Sequence, residues 1–254
     1  MQNNQRNIKF AILAAGEGSR LAQEGVAFPK PLVQIHGEAM IDRLIRIFMD
    51  CGAKEILIIT NNLTDLTRKH LQEMVDQGLP VKYIVKTTPS SMHSFYELKP
   101  FLGEGKFCLT TVDTIFREAE FKQYIEEFKL SEKDGIMAVT DYVDDEKPLW
   151  ISTDKEGMIT GFHDSQALFQ SSAAGKDGVS VCKYISGGIY CLDEKAFTVL
   201  DRCIAEGQSR MRNFQRQLVF DGLKLQAYPF SKILDVDHAE DIQKAEDFLK
   251  EAEK

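Results

Sequence analysis

The stretch Leu13-Ala14-Ala15-Gly16-Glu17-Gly18-Ser19-Arg20-Leu21, followed by Phe28-Pro29-Lys30-Pro31-Leu32, holds the residues best suited to chemistry. Small residues and glycines let backbone N–H groups come close to a phosphate. Arg20 and Lys30 add fixed positive charge, and Pro29 and Pro31 stiffen the chain around the lysine. Two commoner phosphate loops do not fit. A dinucleotide fingerprint wants a third glycine where Leu21 stands. It also wants an acid near the end of the second strand, where this chain has Thr60, Asn61 and Asn62. A P-loop needs Gly-Lys-Ser/Thr after four intervening residues, and none is present. A lone G-x-G would read as a surface loop. With the arginine and the Pro-Lys-Pro at this spacing it reads as a phosphate-binding loop.

Such a loop must be presented by a rigid sheet. Ile8 to Ala14 is an apolar run that predicts a buried strand, and open α/β sheets place ligands at the carboxyl ends of their strands. Met40, Ile41, Leu44, Ile45 and Phe48 recur at helical spacing before Gly52. Strands follow at Glu55–Thr60, Val81–Val85 and Lys106–Val112, with helices over Leu63–Val75, over Ser94–Leu102 and on Phe121, Ile125 and Phe128. Strictly alternating strands and helices imply a mainly parallel sheet covered on both faces. After residue 135 the rhythm changes. Leu149–Ser152 and Met158–Phe162 flank Asp154-Lys155-Glu156-Gly157, a hairpin signature. A polar loop over 164–178, a strand over Val179–Cys191, helices at about 194–206 and 210–221, and a strand at about 223–228 follow. Ile242, Ala245, Leu249 and Ala252 outline a closing helix. No linker interrupts the chain, so residues 1–254 read as one domain.

Composition excludes several classes of partner. The 254 residues carry 31 basic and 39 acidic side chains, a net charge of −8. That argues against a surface built to bind nucleic acid or an anionic membrane. No apolar run approaches the roughly 18 to 20 residues that span a bilayer, and the start is too polar for a secretory signal. The five cysteines (Cys51, Cys108, Cys182, Cys191, Cys203) are odd in number and scattered, with no C-x-x-C pair. A reducing cytoplasm is the expected location.

The combination L-A-A-G-x-G-x-R-L, then P-K-P-L, then Gly37-Glu38-Ala39-Met40-Ile41 resembles the nucleotidylyltransferases. These include the sugar-1-phosphate nucleotidylyltransferases (NDP-sugar pyrophosphorylases) and related cytidylyltransferases. The resemblance implies an α/β fold: a Rossmann-like three-layer sandwich with a mixed, mainly parallel central sheet. It divides the domain into a nucleotide-binding half, 1–134, and an acceptor-binding half with the C-terminal helix, 135–254. It places a nucleoside triphosphate on the main chain of Leu13, Ala14, Ala15, Gly16, Glu17, Gly18 and Ser19, with its phosphates held by Arg20 and Lys30.

Chemistry of that kind needs a divalent cation, Mg²⁺, held by one or two carboxylates. Asp113 ends an apolar strand and resembles the family's Gly-Asp metal position, with Val112 where glycine is usual. Its alternative role is to cap a turn. Asp235, in Ile233-Leu234-Asp235-Val236-Asp237-His238, resembles the family's late metal acid. Asp237 is a further metal candidate, or else it starts the last helix in a capping-box pattern with Glu240. His238 is expected to face solvent in the first helical turn. Arg20, Lys30 and Asp113 form the expected catalytic set.

The acceptor side departs from the sugar-phosphate pattern. The family's Glu-Lys-Pro lysine is missing at Gly161-Phe162-His163-Asp164-Ser165-Gln166, and Glu146-Lys147-Pro148 precedes the hairpin. Ser186-Gly187-Gly188-Ile189-Tyr190 resembles the family's Asn-Ala-Gly-Ile-Tyr strand, so Gly187 and Gly188 are expected in the acceptor pocket. Ser94-Phe95-Tyr96-Glu97-Leu98 resembles a stretch of bacterial phosphocholine cytidylyltransferases, which implies acceptor contacts from Ser94 and Tyr96. A choline cage could draw on Tyr96, Trp150 or Tyr184; otherwise these aromatics belong to the core. Thr87-Thr88-Pro89-Ser90-Ser91 stands where the family reads the base, so the base is open.

The expected function is an Mg²⁺-dependent nucleotidyl transfer. An NTP and a sugar phosphate give an NDP-sugar and pyrophosphate. Phosphocholine or another non-sugar phosphate is the alternative acceptor. A non-catalytic, nucleotide-sugar-sensing member is disfavoured by Arg20, Lys30, Asp113 and Asp235 all being present, and a nicotinamide-dependent oxidoreductase by the loop sequence. The expected partners are a nucleoside triphosphate and a small phosphorylated acceptor, without nucleic acid or membrane. A homo-oligomer is left open.

Overall fold

The structure is a computed structural model that describes residues 8–144, 146–166 and 181–251. Strand β1 (Lys9–Ala14) leads through a glycine loop into the short helix α1 (Ser19–Gln23). A hairpin of β2 (Gln34–Ile35) and β3 (Glu38–Ala39) precedes helix α2 (Met40–Asp50). Then come β4 (Ile56–Thr60), α3 (Asp65–Asp76), β5 (Val81–Val85), α4 (Ser91–Leu102), β6 (Phe107–Thr111), β7 (Thr114–Ile115) and α5 (Glu118–Leu130). The second half holds β8 (Gly135–Thr140), β9 (Trp150–Thr153), β10 (Ile159–His163), β11 (Val181–Leu192), α6 (Lys195–Ala205), α7 (Met211–Phe220), β12 (Leu225–Phe230), β13 (Leu234–Asp235) and α8 (Ala239–Lys250).

Strands β5, β4, β1 and β6 run parallel in that order. β11 pairs antiparallel with β6, and β8 antiparallel with β11; β12 then lies parallel to β8. β11 is therefore the one reversed strand in an otherwise parallel row among the described residues. Strand burial follows position. β1, β4 and β8 are apolar almost throughout because helices cover both faces, whereas β5 at the edge has only Val81 fully buried. The buried run of β8 carries no period-2 pattern, and the sequence reading left it unassigned. The expected hairpin forms as β9 and β10, with the Asp154 carboxylate accepting from the N–H groups of Glu156 and Met158 in the turn. Most of the expected 164–178 loop lies outside the described residues.

The two sheet faces carry separate cores. One packs Phe95 of α4, Phe197 of α6 and Phe214 of α7 against β6, with the Phe107 and Phe197 rings stacked at 5.0 Å. The other packs Phe48 of α2 and Phe121 and Phe128 of α5 against Phe10 and Ile136. Both clusters take residues from either side of residue 134. A third, smaller cluster joins Leu21, Ile35, Met40, Ile115, Leu234 and Phe248. It fastens α1 and α8 beneath the carboxyl ends of the parallel strands. No helix among the described residues is long and apolar enough to cross a membrane.

Tyr124 ties helix α5 to the sheet. Its hydroxyl donates to the Ile136 carbonyl at 2.5 Å and accepts from the Cys191 N–H at 3.0 Å, both fully buried. Tyr124→Phe leaves both main-chain groups without that partner. It is expected to lower unfolding stability by about 1–3 kcal/mol in urea titrations, with the secondary structure unchanged by circular dichroism.

Candidate functional site

The expected site residues gather where β1, β4 and β6 end. β1 lies between β4 and β6, so Leu13 is level with Ile59 on one side and Thr111 on the other. The glycine loop leaves the sheet at Ala15. Gly18 adopts φ +62°, and a Cβ there would sit 2.9 Å from the Cβ of Lys30. A glycine is needed both for the left-handed turn and for the loop to lie against the lysine. The N–H groups of Gly16, Glu17 and Gly18 find no acceptor among the described residues. Three successive free donors are the backbone half of an anion site.

Lys30 supplies the cation. Its backbone opens a single 3-10 turn, with Leu32 N–H bonded to Pro29 O at 2.8 Å and Val33 N–H to Lys30 O at 3.2 Å. The side chain is 9% exposed. Its ammonium is ion-paired with the Asp113 carboxylate and lies 2.6 Å from Asp237 Oδ1. Arg20 Nη1 reaches the other oxygen of Asp237 at 3.2 Å. Burial pulls the Lys30 ammonium towards its neutral form, but the charges of Asp113 and Asp237 outweigh this and raise its pKa. Burial likewise pushes the Asp113 carboxyl up, and the Lys30 charge beside it wins and holds it below the ordinary value.

Asp113 and Asp235 are brought together by a two-residue ribbon. β13 pairs antiparallel with β7, placing Asp235 level with Thr114, and Val236 N–H bonds Asp113 O at 3.1 Å. The glycine pair of β11 makes room for this ribbon. It sits where β11 exchanges β9 for β6 as a neighbour. A Cβ on Gly187 would collide with the Ile233 Cδ1 methyl. Gly188, at φ +73°, would place a Cβ 3.3 Å from both Thr111 Oγ1 and Thr114 Oγ1 and 4.0 Å from Asp235 Oδ1. Asp113 Oδ1 is buried with no hydrogen-bond partner. An orphaned, buried carboxylate oxygen on a segment paired with the one that carries Asp235 fits a hard divalent cation, which takes oxygen ligands and keeps part of its shell for water and phosphate. Among the described residues no cluster of three or more His, Cys, Asp or Glu side chains forms a ready-made metal cage.

The site corrects several expectations. Both oxygens of Asp237 are ion-paired, Oδ1 with Lys30 and Oδ2 with Arg20. It does not form the capping pattern with Glu240. Helix α8 starts one residue later, and Asp241 accepts from the N–H groups of both Asp237 and His238. His238 does not simply face solvent: its Nδ1 lies 2.6 Å from Glu24 Oε1, and that carboxylate raises its pKa.

Two cavities flank Asp237 and Arg20, which line both. One, of about 520 Å³, is walled by the glycine loop, Lys30, Thr88, Ser91, Ser94 and Asp113. The other, of about 630 Å³, is walled by Tyr142, Lys147, Ser186, Gly187, Asp235 and Lys244 among others. Ser94 therefore belongs to the glycine-loop cavity and not to the far one, where its hydroxyl lies 2.6 Å from that of Thr88. Tyr96, two residues along α4, points from a different side of the helix, lines neither cavity and lies beside Lys99. Trp150 and Tyr184 also line neither, so the three aromatics form no cage there. Lys147 is the residue that sequence reasoning passed over. Glu146-Lys147-Pro148 was visible but precedes the hairpin, and only the path of the chain from β8 to β9 carries it to the cavity wall.

The Lys30–Asp113 pair predicts a pH signature. The depressed Asp113 pKa contributes stability above the unfolded carboxyl value of about 4, and this is lost as pH falls through the folded value. In Lys30→Met the largest cause that opposes burial is gone, and only the hydrogen bonds from Thr111 and the Asp113 main chain still favour the carboxylate, so the folded pKa rises from its wild-type position and the pH-dependent stabilisation shrinks. The variant is expected to lose on the order of 3 kcal/mol at pH 7 and clearly less at pH 4, by urea unfolding at both. An equal loss at both pH values would assign Lys30 to packing alone.

Comparison with known proteins gives the family and the fold. The family model described as Nucleotidyl transferase matches residues 9–252. A glucose-1-phosphate thymidylyltransferase of Neisseria gonorrhoeae is 29% identical over 122 residues, 47% of this chain and 42% of that protein. The chain thus spans less than half the length of that relative. Among solved structures, a candidate glucose-1-phosphate thymidylyltransferase of Bacillus anthracis, in complex with a sucrose, superposes with a TM-score of 0.77 at 20% identity, covering 96% of both chains. The inositol-1-phosphate CTP transferase of T. maritima gives 0.73 at 17% identity, covering 99% of this chain and 98% of that one. At those identities the structural likeness speaks for the fold: an α/β, Rossmann-like sandwich with a mixed, mainly parallel sheet. With the loop, the buried lysine and the family model in register over almost the whole chain, this protein belongs to the nucleotidyl transferase family.

Proposed function

We propose that the protein is an Mg²⁺-dependent nucleotidylyltransferase, joining an NTP to a small phosphorylated acceptor with release of pyrophosphate. One observation carries this reading: a buried lysine lines the glycine-loop cavity with three free backbone N–H groups and an orphaned carboxylate oxygen, and an arginine lines both that cavity and the far one. Here the glycine-loop N–H groups hold the triphosphate, and Arg20 and Lys30 stabilise the negative charge that grows on the leaving pyrophosphate. Asp113 and Asp235 would hold the cation, which when bound neutralises charge on the phosphate oxygens. The acceptor phosphate is already an anion, so no side chain has to remove a proton. Catalysis rests on positioning and preorganised charge.

A sugar phosphate is the favoured acceptor. The far cavity is lined by Asp144, Glu146, Ser186 and Glu240, whose oxygens suit a ring rich in hydroxyl groups even though Asp144 and Glu240 also pair with Lys244, and by Lys147 for phosphate. Phosphocholine is less well served, because Tyr96, Trp150 and Tyr184 stay outside the cavity. The cytoplasm is the proposed location: all five cysteines are free and buried, as a reducing compartment allows.

Pyrophosphate release with CTP, UTP, GTP and dTTP, each paired with glucose 1-phosphate, inositol 1-phosphate and phosphocholine, tests the reading. At least one pair is expected to turn over, and to stop on chelation of Mg²⁺. Lys30→Ala and Asp113→Ala are each expected to lower kcat/KM by about 10² or more. Turnover near the wild-type level in either variant would overturn the assignment.

A further inference from the structure

The end of the second parallel strand, where a dinucleotide site would carry an acid, instead carries Asn61. Its side chain is buried at 7% exposure and reaches across to the glycine loop. Nδ2 donates to the carbonyls of Gly16 at 2.8 Å and Ala15 at 3.3 Å, and Oδ1 accepts from Leu63 N–H at 3.1 Å. All its hydrogen-bonding capacity towards this side is used, and the reverse amide orientation would set an oxygen against two carbonyl oxygens.

A trans peptide unit has its C=O and N–H on opposite sides. Drawing the Ala15 carbonyl towards Asn61 therefore turns the Gly16 N–H away from β4. Drawing in the Gly16 carbonyl does the same for the Glu17 N–H. These are two of the three N–H groups that lack a protein acceptor, on residues that line the nucleotide cavity. We infer that Asn61 is the positioning residue of the phosphate loop: it does not touch the nucleotide but aims the loop's N–H groups at it. The inference rests on the reading of that cavity as a triphosphate site.

The test is the affinity of Asn61→Asp and Asn61→Ser for CTP and dTTP with Mg²⁺, and for inorganic tripolyphosphate, by calorimetric titration of folded protein. Asn61→Asp keeps the shape and the acceptor for Leu63 but faces both carbonyls with a carboxylate. Its Kd is expected to rise at least about 10-fold, by a similar factor for the nucleotides and for tripolyphosphate, since the loop serves the phosphates and not the base. Asn61→Ser, which can reach at most one carbonyl, is expected to fall between the two, and it carries the test if Asn61→Asp does not fold. A purely structural role would lower the melting temperature and leave Kd unmoved. Folded variants whose Kd stays within about twofold of wild type overturn the role of Asn61 and leave the cavity's function standing. Failure of wild-type protein to bind all three probes overturns both.

Discussion

A buried ammonium must be matched by carboxylates, and most of this site is arranged around that constraint. Taking Lys30 out of water costs several kcal/mol unless its charge is paired. Asp113 comes from the end of β6 and Asp237 from the approach to α8, so the lysine is held by segments more than 120 residues apart in the chain. Arg20 takes the outer oxygen of Asp237. Two cations and two carboxylates make a cluster of zero net charge, with the Lys30–Asp113 pair largely buried and Arg20 and Asp237 half-exposed. The proline on each side of Lys30 and the close approach of Gly18 are the local devices that keep the lysine in place.

The reversed strand explains why the site has two cavities. Parallel strands place their carboxyl ends on one edge, where the glycine-loop cavity lies. β11 runs the other way and changes neighbours part-way along its length, and Gly187 and Gly188 mark that seam. The seam lets the β7–β13 ribbon lie close enough to set Asp235 beside Asp113. Antiparallel insertion and small side chains are thus parts of one solution: they leave room for a second cavity without breaking the sheet.

Legibility varied with how local the cause was. The glycine loop, Arg20 and Lys30 were readable because their composition and spacing carry their chemistry, and the parallel strands because burial on both faces leaves long apolar runs. β8 has such a run but was not assigned, since a short apolar stretch alone does not separate strand from helix. Ser94 was expected at the acceptor and lines the glycine-loop cavity, because a five-residue similarity cannot say which side of a helix meets which wall. Asn61 was noticed only as the absence of an acid; its two bonds to loop carbonyls arise from the neighbouring position of β4, which no spacing in the chain reveals.

The acidic excess divides the same way. From the sequence alone, a net charge of −8 excluded a polyanionic partner surface, and the loop motif marked where small phosphates could still be held. The helical and strand periods, the family resemblance and the candidate carboxylates are all local properties of the chain. Which carboxylates pair with the lysine was decided by tertiary structure. Asp235 and Asp237 are two residues apart and alike in type, and the pairing of β13 with β7 sets Asp235 level with Thr114, while Asp237 pairs with Lys30 and Arg20. Electrostatic roles depend on distances of a few ångströms between segments far apart in the chain, and those distances exist only once the sheet has formed.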